Sequence, residues 1–252
     1  MGKKEIARPN PFKLRAPEEA GQARKPLVHV YGDHVVCRTD KLGQESPRGR
    51  SLLEIVLDAS EGFIPLWQRG SVLRWRFQER SIARLEDGEA AKAGIRSLLA
   101  EALLEWGDAA PVKFSERPDG TDFEIAVRAG NDCDVNGCVL AMAFFPDAGR
   151  HELVIYPKMF EQDHKEQVET LVHELGHVFG LRHFFALVRE KAFPARVFGA
   201  HEPFTIMNYG AQSVLTDADR TDLKALYEAV WNGELKEING TPIKLVKPFS
   251  AT

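Results

Sequence analysis

The 252-residue sequence contains no apolar run that approaches the roughly 20 residues a helix needs to cross a bilayer. Its first residues, M-G-K-K-E-I-A-R-P-N-P-F, also lack the apolar stretch and small-residue cleavage site of a secretory signal peptide. We therefore expect no membrane span and no signal segment in this chain. The sequence leaves the compartment open.

Cysteine is scarce, and the three cysteines form no C-x-x-C pair of the kind that binds metals or carries redox chemistry. Cys133 and Cys138, in C-D-V-N-G-C, are spaced to close a small loop as a disulfide, and a pair of reduced thiols is the alternative. Cys37 would then have no partner. Cysteine usage does not decide the compartment.

Positive charge is in short supply outside the N-terminus. Residues 1–50 hold 11 Lys/Arg and 6 Asp/Glu, a balance of +5, and the remaining residues hold 22 and 31, a balance of -9. The basic segment has no interleaved aromatic residues, so we do not expect a nucleic-acid partner. Residues 1–50 are predicted to be an irregular arm or pro-segment with one strand at 27–38, and residues 1–70 together form an N-terminal arm or extension ahead of the folded domain.

From residue 71 to residue 232 the apolar residues recur at regular spacings, which predicts a folded domain. In V-L-R-W-R-F-Q, Leu73, Trp75 and Phe77 alternate with polar residues, as in a half-buried strand. Further strands are predicted at 112–115, 123–128, 139–145 and 151–156.

Three helices are predicted in the same domain. An apolar face recurs at helical spacing over 88–106, again from Asp163 or His164 onward, and again after Thr216. Thr216 and Asp219 have the spacing of a capping box. This order of strands and helices predicts an α/β fold, followed by a C-terminal tail at 233–252.

The segment H-E-L-G-H-V-F-G-L-R-H, residues 173–183, contains three histidines. In a helix, His173 and His177 lie one turn apart on the same face, while a continued helix would turn His183 away by roughly 240–280°. The chain must therefore leave the helix to bring His183 back. Gly180 permits that turn because it lacks a Cβ.

Three neutral imidazoles and an open fourth position are the donor set of a catalytic zinc ion. Glu174, next to the first histidine, is placed to contact a zinc-bound water rather than the ion. The alternative is a helix that is rich in histidine for structural reasons. Ordinary residue frequencies give the full H-E-x-x-H-x-x-G-x-x-H pattern a chance of about one in 10⁵ in a chain of this length.

This long motif, followed by a methionine turn, resembles the signature of the metzincin zinc proteases. The downstream segment F-T-I-M-N-Y-G, residues 204–210, supplies Met207. The resemblance implies that Met207 packs beneath the zinc histidines without binding the ion. In the astacin and serralysin branches a tyrosine two residues after that methionine reaches the zinc, so Tyr209 is a candidate oxyanion stabiliser or extra ligand; the alternative is a tyrosine packed in the cleft wall.

Three further segments resemble the matrixins, so that the similarity covers roughly residues 70–231. L-A-M-A-F-F-P (140–146) resembles the matrixin edge strand, residues 112–127 resemble an earlier strand pair, and residues 215–227 resemble the closing helix. The implied fold is a metzincin-type catalytic domain: a mixed twisted sheet with an active-site helix, a long packing helix and a C-terminal helix. The implied substrate edge strand comprises Leu140, Ala141, Met142, Ala143 and Phe144.

The chain also departs from the matrixin pattern. The segment D-A-G-R-H-E-L-V-I-Y-P (147–157) before the motif has one histidine, His151, and few acids, so we expect one catalytic zinc ion and neither structural zinc nor calcium. Phe184 stands where matrixins usually have a small hydroxyl residue, and the stretch from 184 to 204 is longer than is typical. The segment V-V-C-R-T-D around Cys37 lacks the matrixin cysteine-switch pattern.

The sequence thus predicts a monomeric zinc-dependent endopeptidase with Glu174 as general base and a peptide or protein as its substrate. Two other functions stay open. One is a zinc-binding interaction module without turnover, and the other is a zinc hydrolase of a non-peptide amide.

Overall fold

The computed structural model describes residues 62–120, 122–134, 137–183, 206–207, 213–238 and 240–252, and the backbone of short strands at 35–36, 55–58 and 195–198. Predictions for residues 27–34, 37 and 38, and for Phe184 and Tyr209, lie outside the described residues. None of the helices that the structure describes is long and apolar enough to cross a membrane.

The main layer is a five-stranded sheet in the order β5-β4-β6-β10-β9. Its strands are β4 Val72–Phe77, β5 Lys113–Glu116, β6 Phe123–Val127, β9 Ala141–Met142 and β10 His151–Ile155. All neighbours are parallel except β9, which is antiparallel to β10 at one edge. The predicted mixed sheet is confirmed.

The other described strands form three smaller sheets. Their orders are β1-β8-β7, β11-β2-β12 and β13-β14-β3. The strands are β1 Val35–Val36, β2 Ile55–Asp58, β3 Ile64–Trp67, β7 Asp132–Asp134, β8 Gly137–Val139, β11 Leu181–Arg182, β12 Ala195–Phe198, β13 Glu237–Ile238 and β14 Thr241–Val246. Cys133 and Cys138 form a disulfide across the β7–β8 hairpin, which decides between the two states left open by the sequence.

The three predicted helices are confirmed, with a short helix α1 at Glu79–Ile82 in addition. They are α2 Gly88–Trp106, α3 His164–Val178 and α4 Asp217–Trp231. Single 3-10 turns lie at Gly107–Ala109, Pro157–Glu161 and Phe249–Ala251. The capping box predicted at Thr216 and Asp219 is present, and an unpredicted second one begins α3 at Asp163 and Glu166.

The core lies between the sheet and the helices α2 and α3. Trp106 at the end of α2 is fully buried, packs edge-on against Phe179, and donates its indole N–H to the carbonyl oxygen of Val172 at 3.0 Å. Burying an indole requires such a partner for its N–H group. The long packing helix is therefore fixed against the middle and the end of α3.

Two segments outside the predicted domain limits of 71 and 232 also contribute to the packed structure. β3 is buried at all four positions and pairs in parallel with β14, which lies in the predicted tail. Ser250 donates backbone N–H and hydroxyl hydrogen bonds to the buried carboxylate of Asp122, at 2.7 and 2.9 Å. These contacts join the C-terminal segment to the main sheet.

The prediction of one continuous strand at 139–145 is wrong. The chain changes partners at Leu140, because β8 belongs to the hairpin and β9 to the main sheet. The carbonyl oxygen of Leu140 still accepts a 2.8 Å hydrogen bond from the Tyr156 N–H. Of the predicted substrate edge strand, Ala141 and Met142 are strand, whereas Ala143 and Phe144 are irregular.

Candidate active site

Helix α3 carries the first two histidines on its buried face. The apolar residues Val168, Leu171 and Leu175 direct that face toward the core, and His173 and His177 lie one turn apart on it. Both side chains are essentially inaccessible to solvent. Burying two imidazoles without an organised set of polar partners would be costly, so their hydrogen bonds carry information about the site.

The end of α3 turns at Gly180, as the sequence predicts. Gly180 has φ +94°, and its N–H donates to the carbonyl oxygen of His177 at 2.8 Å. The chain then reverses into β11, and His183 returns to the helix with its ring centroid 4.8 Å from that of His177. An L-residue rarely adopts this φ, so glycine is required at the turn that brings in the third histidine.

The three histidines converge on one point. The His173 Nε2 atom lies 3.1 Å from the Nε2 of His183 and 3.2 Å from the Nε2 of His177. Ligand nitrogens at ~2.0–2.1 Å from a tetrahedral zinc ion are roughly 3.3 Å apart. The spacing of the imidazoles is therefore that of ligands to a single small cation, and these three are the metal-ligand cluster found among the described residues.

The opposite ring nitrogens set the protonation of two of these histidines. The Nδ1–H of His173 donates to the Ile206 carbonyl oxygen at 2.7 Å, and the Nδ1–H of His177 donates to the Leu181 carbonyl oxygen at 2.8 Å. A carbonyl only accepts, so each neutral imidazole has its lone pair on Nε2. Two lone pairs 3.2 Å apart repel one another unless a cation lies between them, so the donor set fits zinc.

Met207 packs against the zinc helix at Gly176, a residue of the motif that makes room for it. Met207 is 4% exposed, and a Cβ added to Gly176 would overlap its Sδ atom. Sequence reasoning missed Gly176. The available signal was a glycine in the interior of a helix, which costs about 1 kcal/mol relative to alanine and so calls for a packing reason.

Asp219 connects the last helix to Ile206, the residue whose carbonyl oxygen orients His173. It is 3% exposed, and burial raises the pKa of its carboxyl, while hydrogen bonds from Thr216 and from the Ile206 backbone act in the opposite direction. Sequence reasoning identified Asp219 as a helix cap only. Its second role could not be seen, because only the fold brings Ile206 next to Asp219.

Trp67 and Tyr227 satisfy the last carbonyl groups of the zinc helix. The indole N–H of Trp67 donates to Val178 at 2.7 Å, and the Tyr227 hydroxyl donates to Phe179 at 3.1 Å. Both side chains are buried, and burial raises the pKa of Tyr227 far above its ordinary value. Helix C-termini leave such carbonyls without intrahelical partners, so these two contacts fix the residues that precede Gly180.

The other predicted site residues differ in what the structure says of them. Glu174 is 1% exposed on α3, next to His173 in the chain. Ala141 and Met142 form the last strand of the main sheet, and the Phe145 ring lies 5.5 Å from that of His177. Tyr209 falls outside the described residues, so its role stays a prediction.

The sequence is similar to known proteins over this same region. Residues 66–187 match the family model of the matrixin peptidases. Matrix metalloproteinase-C of Caenorhabditis elegans is 31% identical over 110 residues, which are 38% of this chain and 19% of that protein. Human stromelysin-3 is 33% identical over 100 residues, which are 35% of this chain and 20% of that protein. The aligned region thus spans about a fifth of the length of these curated relatives.

Solved structures with similar folds include a crystal structure of myroilysin, at 14% identity and a TM-score of 0.45, covering 85% of this chain and 97% of that one. High choriolytic enzyme 1, a hatching enzyme zinc-protease from Oryzias latipes, has 14% identity and a TM-score of 0.39, covering 65% of this chain and 94% of that one. The family match confirms the predicted resemblance to the matrixins over residues 66–187.

Proposed function

We propose that the protein is a zinc-dependent endopeptidase whose zinc is held by His173, His177 and His183. The observation that carries this proposal is the convergence of three buried imidazoles, with the Nδ1–H groups of His173 and His177 each donated to a backbone carbonyl. Such second contacts hold the ring of a metal-binding histidine and keep its other nitrogen free for the ion.

Zinc bound there supplies Lewis-acid chemistry, lowering the pKa of a water towards ~7 and polarising a carbonyl oxygen. Glu174 accepts the proton as the water attacks the scissile carbonyl carbon, and then delivers that proton to the leaving amine. The Glu174 side chain is buried, and the low dielectric around a buried group strengthens its electrostatic interactions. Tyr209 is proposed to donate its hydroxyl hydrogen to the developing oxyanion.

The substrate is proposed to lie extended along the edge strand at Ala141 and Met142. Among the described residues no strand pairs with its other side, which favours backbone groups that are available to a peptide. Adding a strand in this way uses the peptide backbone, which every sequence shares, and pockets then select side chains. An endopeptidase with pocket-based preferences follows from that arrangement.

The experiment is a digest of an unbiased peptide library by the full chain, with and without a hydroxamate, and after chelation and return of zinc. We expect internal cleavage that a hydroxamate inhibits, that chelation abolishes and that zinc restores. Chelator-insensitive cleavage would contradict the proposal.

Two alternatives predict other outcomes in the same experiment. A zinc-binding interaction module binds the ion but cuts no peptide in the library. A hydrolase of non-peptide amides leaves the library intact and cleaves small amides in a reaction that the hydroxamate inhibits. The burial of a carboxylate next to the first histidine favours a hydrolytic enzyme over an interaction module, since a module without turnover has no use for a buried general base.

A further inference from the structure

A cavity of about 650 Å³ lies beside the histidine cluster and is formed by three segments that are distant in sequence. Phe63 and Pro65 come from the beginning of β3, and the segment from Phe144 to Ala148 follows the edge strand. The third wall is the C-terminal strand β14 and its continuation, from Lys244 to Lys247. Its volume is within the roughly 300–1,000 Å³ of pockets that enclose ligands.

The cavity shares two walls with the zinc site. Phe145, which lines the cavity, has its ring centroid 5.5 Å from that of His177. On the other side, Pro65 and Pro146 lie next to Gly180, since a Cβ placed there would be 3.5 Å from the Pro65 carbonyl oxygen and 3.6 Å from the Pro146 ring. A peptide that leaves the histidines along the end of the edge strand therefore enters this cavity.

The cavity is apolar inside and basic at its rim. Phenylalanine, proline, leucine and valine side chains form half of its lining. Lys244 and Lys247 are exposed at the rim, and neither forms an ion pair within the part of the chain that the structure describes. The Lys244 ammonium lies 4.4 Å from the centre of the Phe63 ring. Asp147 is the only acidic side chain in the lining, so the side chains that line the cavity sum to +1, whereas those of residues 51–252 sum to -9.

His151 adds a polar contact at the inner wall. Its ring stacks on Phe144 with centroids 4.4 Å apart, and its buried Nε2 has no hydrogen-bond partner among the described residues. Burial lowers the pKa of His151 below its ordinary value, against the charges of Asp147 and Asp122. A buried ring nitrogen without a partner offers one hydrogen bond to an occupant of the cavity.

We propose that this cavity is a substrate subsite that takes a large apolar side chain followed or preceded by an acidic residue. The proposal rests on the proposed peptidase function and adds the class of substrate. An extended peptide advances ~3.3 Å per residue, so the two residues lie roughly two to four positions from the scissile bond.

The test is a profile of cleavage sites in a mixed peptide library, read on both sides of each cut bond. Three forms of the full zinc-loaded chain are compared: wild type, Lys244→Glu/Lys247→Glu, and the charge-matched control Lys113→Glu/Lys165→Glu. Lys113 and Lys165 are exposed, on the opposite edge strand and on the first turn of the zinc helix. Wild type and control should prefer the apolar–acidic pair over an apolar–lysine pair by about five- to tenfold in kcat/KM.

The reversed variant should lose that preference or favour lysine, while cutting peptides with alanine at those positions as wild type does. A second readout is independent of turnover: a fluorescent apolar–acidic peptide should bind the Glu174→Gln chain about five- to tenfold more tightly than that chain with Lys244→Glu/Lys247→Glu added. Cleavage by wild type without preference at these positions, or a preference unchanged by charge reversal, would overturn the subsite and leave the peptidase function standing. No cleavage by wild type would refute the function, and the subsite with it.

Discussion

The histidine cluster and the cavity beside it are neighbours, but they are built in opposite ways. The cluster comes from eleven consecutive residues, in which a helix and a glycine turn bring three side chains together. The cavity comes from three segments that span about 190 residues of chain, from Phe63 to Thr252. The proposed catalytic chemistry is thus encoded locally, whereas the proposed specificity depends on long-range packing.

Removing one of the three histidines should have the largest effect, and that effect should be confined to the histidine cluster. We expect His177→Ala to reduce zinc affinity by more than the roughly 100-fold typical of losing an outer-shell contact, because a direct ligand is lost. Zinc content by mass spectrometry and peptide cleavage are measured together. Full zinc occupancy in this variant would contradict the three-histidine site.

Trp67→Phe tests whether packing between segments that are distant in sequence supports the histidine cluster. The variant leaves the Val178 carbonyl without its indole donor and leaves a gap in the core, so unfolding should become easier by about 2–3 kcal/mol. We also expect weaker zinc binding, measured by competition with a chelator.

Trp231→Phe is the matched control. The Trp231 indole N–H donates to the Trp67 carbonyl oxygen at 2.9 Å, and the Trp231 side chain is half-buried. This substitution should lower the free energy of unfolding by about 1 kcal/mol and leave zinc affinity unchanged. Equal effects of both variants on zinc would show that Trp67 has no specific connection to the site.

Gly180→Ala separates backbone strain from site assembly. A left-handed residue with a Cβ costs about 1–2 kcal/mol, and here the Cβ would also lie 3.2 Å from the Leu66 side chain. Gly70→Ala is the control, with φ +79° and open space around the added carbon. Both variants should lose thermal stability, and only Gly180→Ala should lose zinc affinity. Loss of zinc affinity in both variants would contradict a specific role of the Gly180 turn in assembling the zinc site.

His151→Phe should give the smallest effect on stability, seen as a change in the pH dependence of unfolding. Burial lowers the pKa of His151 below 6.5, so below that pH the unfolded chain takes up a proton that the folded chain does not. This contribution to stability is present at high pH and is lost as the pH falls. Melting temperatures of wild type should therefore fall more than those of the variant between about pH 7.5 and about pH 5.5; parallel curves would contradict this.

The sequence predicted the local part of the structure well for physical reasons. Helix α3 has a capping residue, a regular apolar face and a glycine at its end, all within a short segment. The strand β3 was missed because I-P-L-W is short and contains Pro65, which argues against a strand. Its partner β14 contains Pro242 and lies almost 180 residues away, so no local pattern reveals their pairing.

The supporting residues of the site were missed for a related reason. Asp219 was recognised as a helix cap, but its contact with the Ile206 backbone joins two segments that only the fold brings together. Gly176 was passed over because its packing partner, Met207, lies 31 residues further along the chain. The domain limits at 70 and 232 and the catalytic roles of Glu174 and Tyr209 stay predictions.

The most direct test of the central claim is the substitution Glu174→Gln, with zinc content and peptide cleavage measured on the same preparation. The account predicts that zinc binding is kept, because all three histidines remain, and that cleavage falls by about 10²–10⁴-fold, the usual contribution of a general base. Cleavage at the rate of wild type would contradict it.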